Sequence, residues 1–373
     1  MSTLKVNTIK DNGTAIDLEN GIKIAGSSPI QGYTASGTEP SSGNANGDYW
    51  WDTGNDQLYQ YWDSEFRAIT TVAPVNDSHI GDRGIWAGGS LVNSPYYSDG
   101  IIYVDITSTG NSSSFGTLRA RVASMTATQG EGRGLFLGGN EQGSITNKID
   151  YISTATTGNA QSQGTLAASY YNMATASDGT TALMTGGSMP AGTINQLTIA
   201  TGTGTSSFGN LSNTRNNLCG ASDGATAFFM GGYFNNAASN TIDSVAIATS
   251  GNATDWGDLT VSANGMGGNG ACANTSRVIQ GGGYVSGSPN NYICYFDTSS
   301  AGNAIDFGDN NETSAWNSWV ANETRAVLAG GYTGSYRSNT IKYITIDTPG
   351  NSSTFGSIGY GNDSQGGLSG PAS

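Results

Sequence analysis

An all-β fold built from six copies of one four-stranded unit is predicted by three features of this 373-residue sequence. The first is a Gly-Gly pair that closes a short apolar strand at Arg83-Gly-Ile-Trp-Ala-Gly-Gly89 and recurs at Gly139, Gly187, Gly232, Gly283 and Gly331, in steps of roughly 50, 48, 45, 51 and 48 residues, a repeat period. The second is an alternating Ile-rich strand after each pair, such as Ile149-Asp-Tyr-Ile-Ser-Thr154 and Ile341-Lys-Tyr-Ile-Thr-Ile346, whose period of two marks a half-buried strand. The third is composition: 56 glycines, few charges and no long apolar run at helical spacing describe a turn-rich β protein.

The elements of one unit follow in order. Behind the Gly-Gly strand comes a loop that varies from unit to unit, then the alternating strand. A turn follows at Thr109-Gly-Asn111, Thr157-Gly-Asn159, Ser250-Gly-Asn252, Ala301-Gly-Asn303 and Pro349-Gly-Asn351, where Asn tolerates a left-handed backbone. An aromatic-Gly step closes the fourth strand at Phe115-Gly116, Phe208-Gly209, Trp256-Gly257, Phe307-Gly308 and Phe355-Gly356, and only the second unit, with Gln163-Gly164, lacks the ring. A small-residue strand such as Leu218-Cys-Gly-Ala-Ser222 then leads through an Asp-Gly hairpin turn, Asp178-Gly179 or Asp223-Gly224, into the next Gly-Gly strand.

Four short strands in about 50 residues, with Gly-Gly after the second and an aromatic in the fourth, resemble the kelch repeat. The resemblance runs from Arg83 to the C-terminus, and it departs in the third strand, which lacks the usual Tyr-Asp ending. It implies a six-bladed β-propeller over 83–373, a ring that removes the free edges of antiparallel sheets. The first Gly-Gly strand has no small-residue strand before it, because Pro74 to Gly81 reads as a linker. The tail from Ser364 to Ser373 stops where a further Gly-Gly strand would begin, so it is expected to supply the innermost strand of the first blade.

Ahead of the repeats, 1–35 holds short strands carrying Leu4, Val6, Ile9, Ile16, Leu18, Ile22 and Ile24, too little apolar surface for one chain to bury alone. From 36 to 82 come a Ser/Gly/Pro linker and an aromatic hairpin, Gly47 to Trp62, turned at Gly54-Asn55-Asp56. The opening Met1-Ser-Thr-Leu-Lys-Val-Asn-Thr-Ile9, the Ile-rich strands and Gly47-Asp-Tyr-Trp-Trp-Asp-Thr53 resemble the N-terminal regions of fibre and other virion proteins of tailed bacteriophages, marine cyanophages included. That resemblance implies a virion protein assembled in a host cytoplasm. It would be joined to other virion proteins through a trimeric N-terminal region, with a distal head that binds a host-surface glycan or outer-membrane component.

Several chemistries are disfavoured. A net charge of −14 argues against nucleic acid as a partner, and no signal peptide or apolar membrane span is evident, so no membrane insertion is expected. Cys219, Cys272 and Cys294 show no metal spacing and read as small packers in inner strands. His79 is the sole histidine and precedes the first unit, whereas the copper oxidases built on kelch propellers need two at the metal. The carboxylate pairs Asp255 with Asp258 and Asp306 with Asp309 recur at one place in neighbouring units and read as turn residues rather than glycosidase machinery. The Ser-x-Asp-x-Gly-x-x-Trp turn of six-bladed sialidases is absent. No catalytic residue, cofactor or metal is therefore expected. The loops after Gly-Gly carry the candidate ligand-binding residues Tyr96, Tyr97, Tyr233, Phe234, Tyr284, Tyr332 and Tyr336, since rings beside Asn, Ser and Gly make adaptable recognition surfaces. Strand alternation puts these loops on one face together with the fourth-to-first-strand connections, where Arg119, Arg121 and Arg215 are expected to point outward, away from the N-terminal region. A purely structural virion component and a glycan-depolymerising enzyme stay open as alternatives.

Overall fold

A computed structural model describes residues 33–41, 48–52, 57–62, 65–68 and 80–370, apart from 190–191, 203–204, 236 and 264–269. The segment from Leu4 to Ile24, the turn at Gly54-Asn55-Asp56 and His79 lie outside these residues. The chain divides into two compact parts, Met1–Pro74 and Val75–Ser373. Among the described residues every regular element is a β-strand.

In the smaller part the aromatic hairpin is two strands of a four-stranded sheet. Tyr49–Asp52 and Gln57–Trp62 pair antiparallel as expected. Glu65–Ala68 continues the meander, while Tyr33–Ser36 adds in parallel to the other edge, inside a stretch whose last residue begins the expected linker. The extra strands answer the surplus of rings: Trp50 stacks on Tyr59 at 4.7 Å and meets the edge of Phe66 at 5.6 Å. Its indole nitrogen donates to the Ser36 carbonyl at 3.1 Å, which ties the parallel strand down.

The larger part holds six four-stranded antiparallel units in which the strands pair in the order first, second, third, fourth. In the second unit these are Thr126–Gly130, Arg133–Leu137, Lys148–Ser153 and Gln161–Thr165. The first unit is composite. Its second, third and fourth strands are Arg83–Ala87, Gly100–Asp105 and Ser113–Thr117, and its first strand is Gly366–Gly370 from the far end of the chain, paired Leu368 to Ile85. The expected exchange of the C-terminal strand is thus present. The first-to-second-strand turns are held by a carboxylate or amide: Asp178 Oδ1 accepts from the Thr180 and Thr181 amides at 2.8 and 2.7 Å, and Asn322 Oδ1 does the same for Thr324 and Arg325.

Apolar side chains collect between successive sheets. Ile85, Ala87 and Leu368 of the first unit meet Ala127, Phe136 and Ile152 of the second. At the other end of the series, Trp86, Val104 and Ile106 of the first unit meet Val320, Val327 and Phe355 of the sixth. All six first strands line one small cavity of about 60 Å³, through Leu368, Thr128, Thr175, Ala221, Cys272 and Val320 in chain order of the units. That is room for a few waters and far below the roughly 300–1,000 Å³ of a small-molecule site.

The sequence marks at the unit ends turn out to be one device. The Gly-Asn turn of each unit docks on the aromatic-Gly step of the unit before it. Asn159 Oδ1 accepts from the Thr117 amide at 3.1 Å, Asn252 from Asn210 at 3.0 Å, Asn303 from Asp258 at 3.0 Å and Asn351 from Asp309 at 2.9 Å. Asn111 of the first unit accepts from Ser357 of the sixth at 3.0 Å. The glycine is required because the turn backbone lies on it: a Cβ at Gly209 would run into the Gly251 carbonyl, and one at Gly356 into that of Gly110. The joint between the second and third units departs on both sides at once. Gln163 replaces the ring, Gly202-Thr203 replaces Gly-Asn, and Gln163 Nε2 donates to the Ile199 carbonyl at 2.5 Å.

A second tie grips the same third-to-fourth-strand connections from the start of the second strand. Arginines that open the second strand lie over the third-strand tyrosine of their own unit, Arg83 over Tyr103, Arg133 over Tyr151, Arg277 over Tyr295 and Arg325 over Tyr343, at 4.3 to 5.0 Å. Arg83 then donates to the Thr154 carbonyl of the next unit at 2.8 Å, Arg277 to Ile346 at 2.8 Å, and Arg325 of the sixth unit to Thr107 of the first at 2.8 Å. Units three and four carry Thr181 and Thr226 there, and correspondingly no tyrosine, but Gln196 and Ser244.

Replacing Gly209 by Ala should destabilise the full chain by about 1–3 kcal/mol in chemical denaturation, because the turn of the next unit must move. Gly158→Ala, where nothing lies within reach of the new methyl, should stay within about 0.5 kcal/mol of the parent.

Candidate functional site

The Gly-Gly pairs set which loops share a face. Both glycines of the first pair take left-handed backbone angles, φ +66° at Gly88 and +100° at Gly89, and turn the chain out of the sheet. The second amide of the pair then donates to the connection that leaves the same unit: Gly89 to Val122 at 2.8 Å, Gly139 to Tyr170 at 2.7 Å, Gly283 to Ser314 and Gly331 to Asn362 at 2.8 Å. The variable loops and the fourth-to-first-strand connections therefore lie side by side, as strand alternation requires.

The predicted tyrosines divide among the units. Tyr96 is 61% exposed at φ +63°, and Tyr97 is half-buried and pairs back on Ser90. Tyr233, 38% exposed, and Phe234 start the short hairpin of the fourth unit. Tyr284 and Tyr332, from the fifth and sixth units, are brought together by a residue the sequence reading missed: Trp316 packs edge-on against Tyr284 at 5.0 Å and lies 6.1 Å from Tyr332. Burial, then the neighbouring Tyr332 and Asp363, push the Tyr284 phenol up. Tyr336 is 57% exposed, and its hydroxyl is tied to Glu312 at 2.5 Å.

Charged groups near these rings are consumed by one another. Burial works to raise the Glu312 carboxyl, but hydrogen bonds from Lys342 (2.9 Å), Tyr336 and Ser338 (2.8 Å) together with the ammonium charge outweigh it and hold the carboxyl down to about 2. Lys342 is itself buried. Asp363, also buried, pairs with Arg337 at 2.8 Å, and burial still keeps its carboxyl above the ordinary range.

Of the three arginines expected to point outward, Arg215 does not, and Arg119 is held by a partner. Arg215 is buried: its guanidinium donates to the carbonyls of Gly231 and Thr241 at 2.8 and 2.6 Å and pairs with the equally buried Asp243 at 2.7 Å. Arg119 is exposed and grips Asp150 of the next unit at 2.6 Å. Arg121 is exposed too, 3.9 Å from Asp99. The reason is positional. The residue after the invariant third-strand Ile faces the preceding unit's connection, and Asp150, Asp243 and Lys342 at that position take Arg119, Arg215 and Glu312 as partners. Ion pairs thus tie units one to two, three to four and five to six. No sequence period betrays this, because the sign is reversed in the last pair.

Asp255 and Asp306 accept from the Gly257 and Gly308 amides at 3.1 and 3.2 Å, within the aromatic-Gly step. The three cysteines are buried thiols, and burial pushes them up, that of Cys294 to about 12. Cys219 and Cys272 stand in first strands, whereas Cys294 belongs to a third strand. No protein-family model matches the chain, and no curated protein matches it.

Two outcomes follow from these charges. Arg215→Ala strands a buried carboxylate and should cost about 3–5 kcal/mol in denaturant unfolding, whereas Arg119→Ala, at a pair partly open to solvent, should cost about 1 kcal/mol or less. Glu312 has its folded pKa below the ordinary 4.5, so the stability it contributes is full above that value and is lost as pH falls toward 2. Acid titration of Glu312→Gln should show a shallower loss of stability over that window than the parent.

Proposed function

We propose that the six sheets are the blades of a closed β-propeller, and that this propeller is the receptor-binding head of a tailed-phage virion fibre or spike protein. Three observations support the ring: the sixth sheet shares a core with the first, Asn111 clasps Ser357, and all six first strands border one cavity. The phage assignment rests on the N-terminal motifs, Ser2-Thr-Leu-Lys-Val-Asn-Thr-Ile9 and Gly47-Asp-Tyr-Trp-Trp-Asp-Thr53. The N-terminal region would join partner copies and other virion proteins, most simply as a trimer, and the head would act without catalysis.

The observation that carries the binding role is the contrast between repeated strands and unrepeated loops on one face. Strands, clasps and cores are near copies of one another, while the loops behind Gly-Gly differ in length and carry the exposed rings Tyr96, Tyr233 and Tyr336. A scaffold that holds variable aromatic loops on fixed ends has the anatomy of a recognition surface.

Fluorescently labelled full-length chain should bind saturably to susceptible isolates in a panel of bacteria. The combined Tyr96, Tyr97, Tyr233 and Tyr284 to Ala variant, with its circular dichroism unchanged, should lose most of that binding. Saturable adsorption that persists in the folded variant would remove these loops from the receptor site.

A further inference from the structure

Comparison of the six units with one another singles out one place on the loop-bearing face. Two residues before each first strand the backbone is left-handed: φ is +56° at Ser364, +55° at Ser124, +53° at Asn172, +50° at Asn217 and +48° at Trp316. The equivalent Asn269 lies outside the described residues. These residues form a chain of backbone hydrogen bonds from unit to unit, Ser364 to the Trp316 carbonyl at 2.9 Å, Ser124 to Ser364 at 2.8 Å and Asn172 to Ser124 at 2.8 Å. Ser and Asn suit such a position. A large aromatic residue does not, since the left-handed region is disfavoured for bulky side chains, and strain of this kind concentrates where function holds it in place.

The residue directly after Gly-Gly departs in the same sector. It is Ser90, Asn140 and Ser188 in the first three units, and Tyr233, Tyr284 and Tyr332 in the last three. That position is therefore small and polar in the first three units and aromatic in the last three. Trp316 stands between two of these tyrosines and joins them into one platform of three half-buried rings. The Tyr332 hydroxyl is turned aside to the Gly334 carbonyl at 2.8 Å.

The charge around the platform decides what it would accept. Asp363 is matched by Arg337 and Glu312 by Lys342, so neither pair offers an unmatched charge to a ligand. The chain as a whole carries −14, which repels polyanions at a distance. Contiguous rings without an unmatched charge suit the apolar faces of uncharged pyranose rings, whose hydroxyls would meet the surrounding Ser, Asn and Tyr.

Resting on the receptor-binding reading above, we infer that Tyr284, Trp316 and Tyr332 form a binding site for a neutral hexose-containing polysaccharide at the joint between the fifth and sixth units. The site uses the aromatic half of the face and leaves the Ser- and Asn-bearing half outside the contact.

The test uses the full chain on an array of purified bacterial surface polysaccharides, some made only of neutral sugars and others containing uronic or sialic acids. Trp316→Asn installs a residue that the third and fourth units already hold at this backbone angle, so the variant should melt no lower than the parent. It should lose about tenfold or more in affinity for the neutral polysaccharides that the parent binds, the size of one lost ring contact. Asn140→Ser, which gives the second unit the residue that the first and third already hold after Gly-Gly, should bind them within about twofold of the parent. Retained affinity in folded Trp316→Asn, with loss in Asn140→Ser, would move the site to the second unit and overturn this inference while leaving a receptor-binding head intact. Binding confined to acidic polysaccharides would overturn the ligand class in the same way. A parent chain that adsorbs to bacteria but binds no polysaccharide would overturn the sugar site and leave a protein receptor as the target. A parent that does neither would overturn both readings.

Discussion

A backbone turn resting on a glycine of the sheet before it is the contact on which the larger part of this chain depends. The turn can come that close only because Gly116, Gly209, Gly257, Gly308 and Gly356 have no side chain, and it is aligned there by the Asn amide that follows it. The same approach brings the aromatic residue before each glycine into the core, as with Phe115 between units one and two and Phe355 between six and one. Close approach, side-chain clasp and apolar burial are thus one geometry repeated, and the arginines that open the second strands brace it by reaching to carbonyls of the same turn-bearing connection in the next unit. Polar backbone groups that an open sheet edge would expose are partly satisfied by these neighbours, which is why strands of five or six residues suffice.

Much of this was legible because a repeat exposes its own rules. The Gly-Gly period, the Ile strands and the empty place before Arg83 led to six units and to the exchanged C-terminal strand, and the pairing of Leu368 with Ile85 bears that out. The exception at Gln163 was visible too, although its meaning was not: only the structure shows that the altered step faces the altered turn at Gly202. The hidden ion pairs were beyond reach for a different reason. Arg215 reads as a polar residue in a polar connection, and nothing local indicates that Asp243, a unit away, lies buried beside it. Polarity in a loop suggests exposure, and burial between sheets overrides it at Arg215.

The candidate site shows the same division. Tyrosines behind Gly-Gly could be found by inspection, but which of them meet is decided by a tryptophan in another connection. Trp316 became conspicuous once its backbone angle could be compared with those of Ser124, Asn172, Asn217 and Ser364. The sequence carries one signal of it: Tyr follows Gly-Gly only in units four to six, an asymmetry that a packing role alone does not require.

The last sheet meets the first, and the C-terminal strand completes the junction. Hydrogen exchange of the full chain, followed by mass spectrometry, is the test. Amides of Gly366–Gly370 and Arg83–Ala87 should exchange together and as slowly as those of the interior second unit, Thr126–Gly130 and Arg133–Leu137, since all are paired strands packed into one shared apolar cluster. Exchange of 366–370 within seconds, as in a fraying tail, while Thr126–Gly130 stays protected, would contradict it.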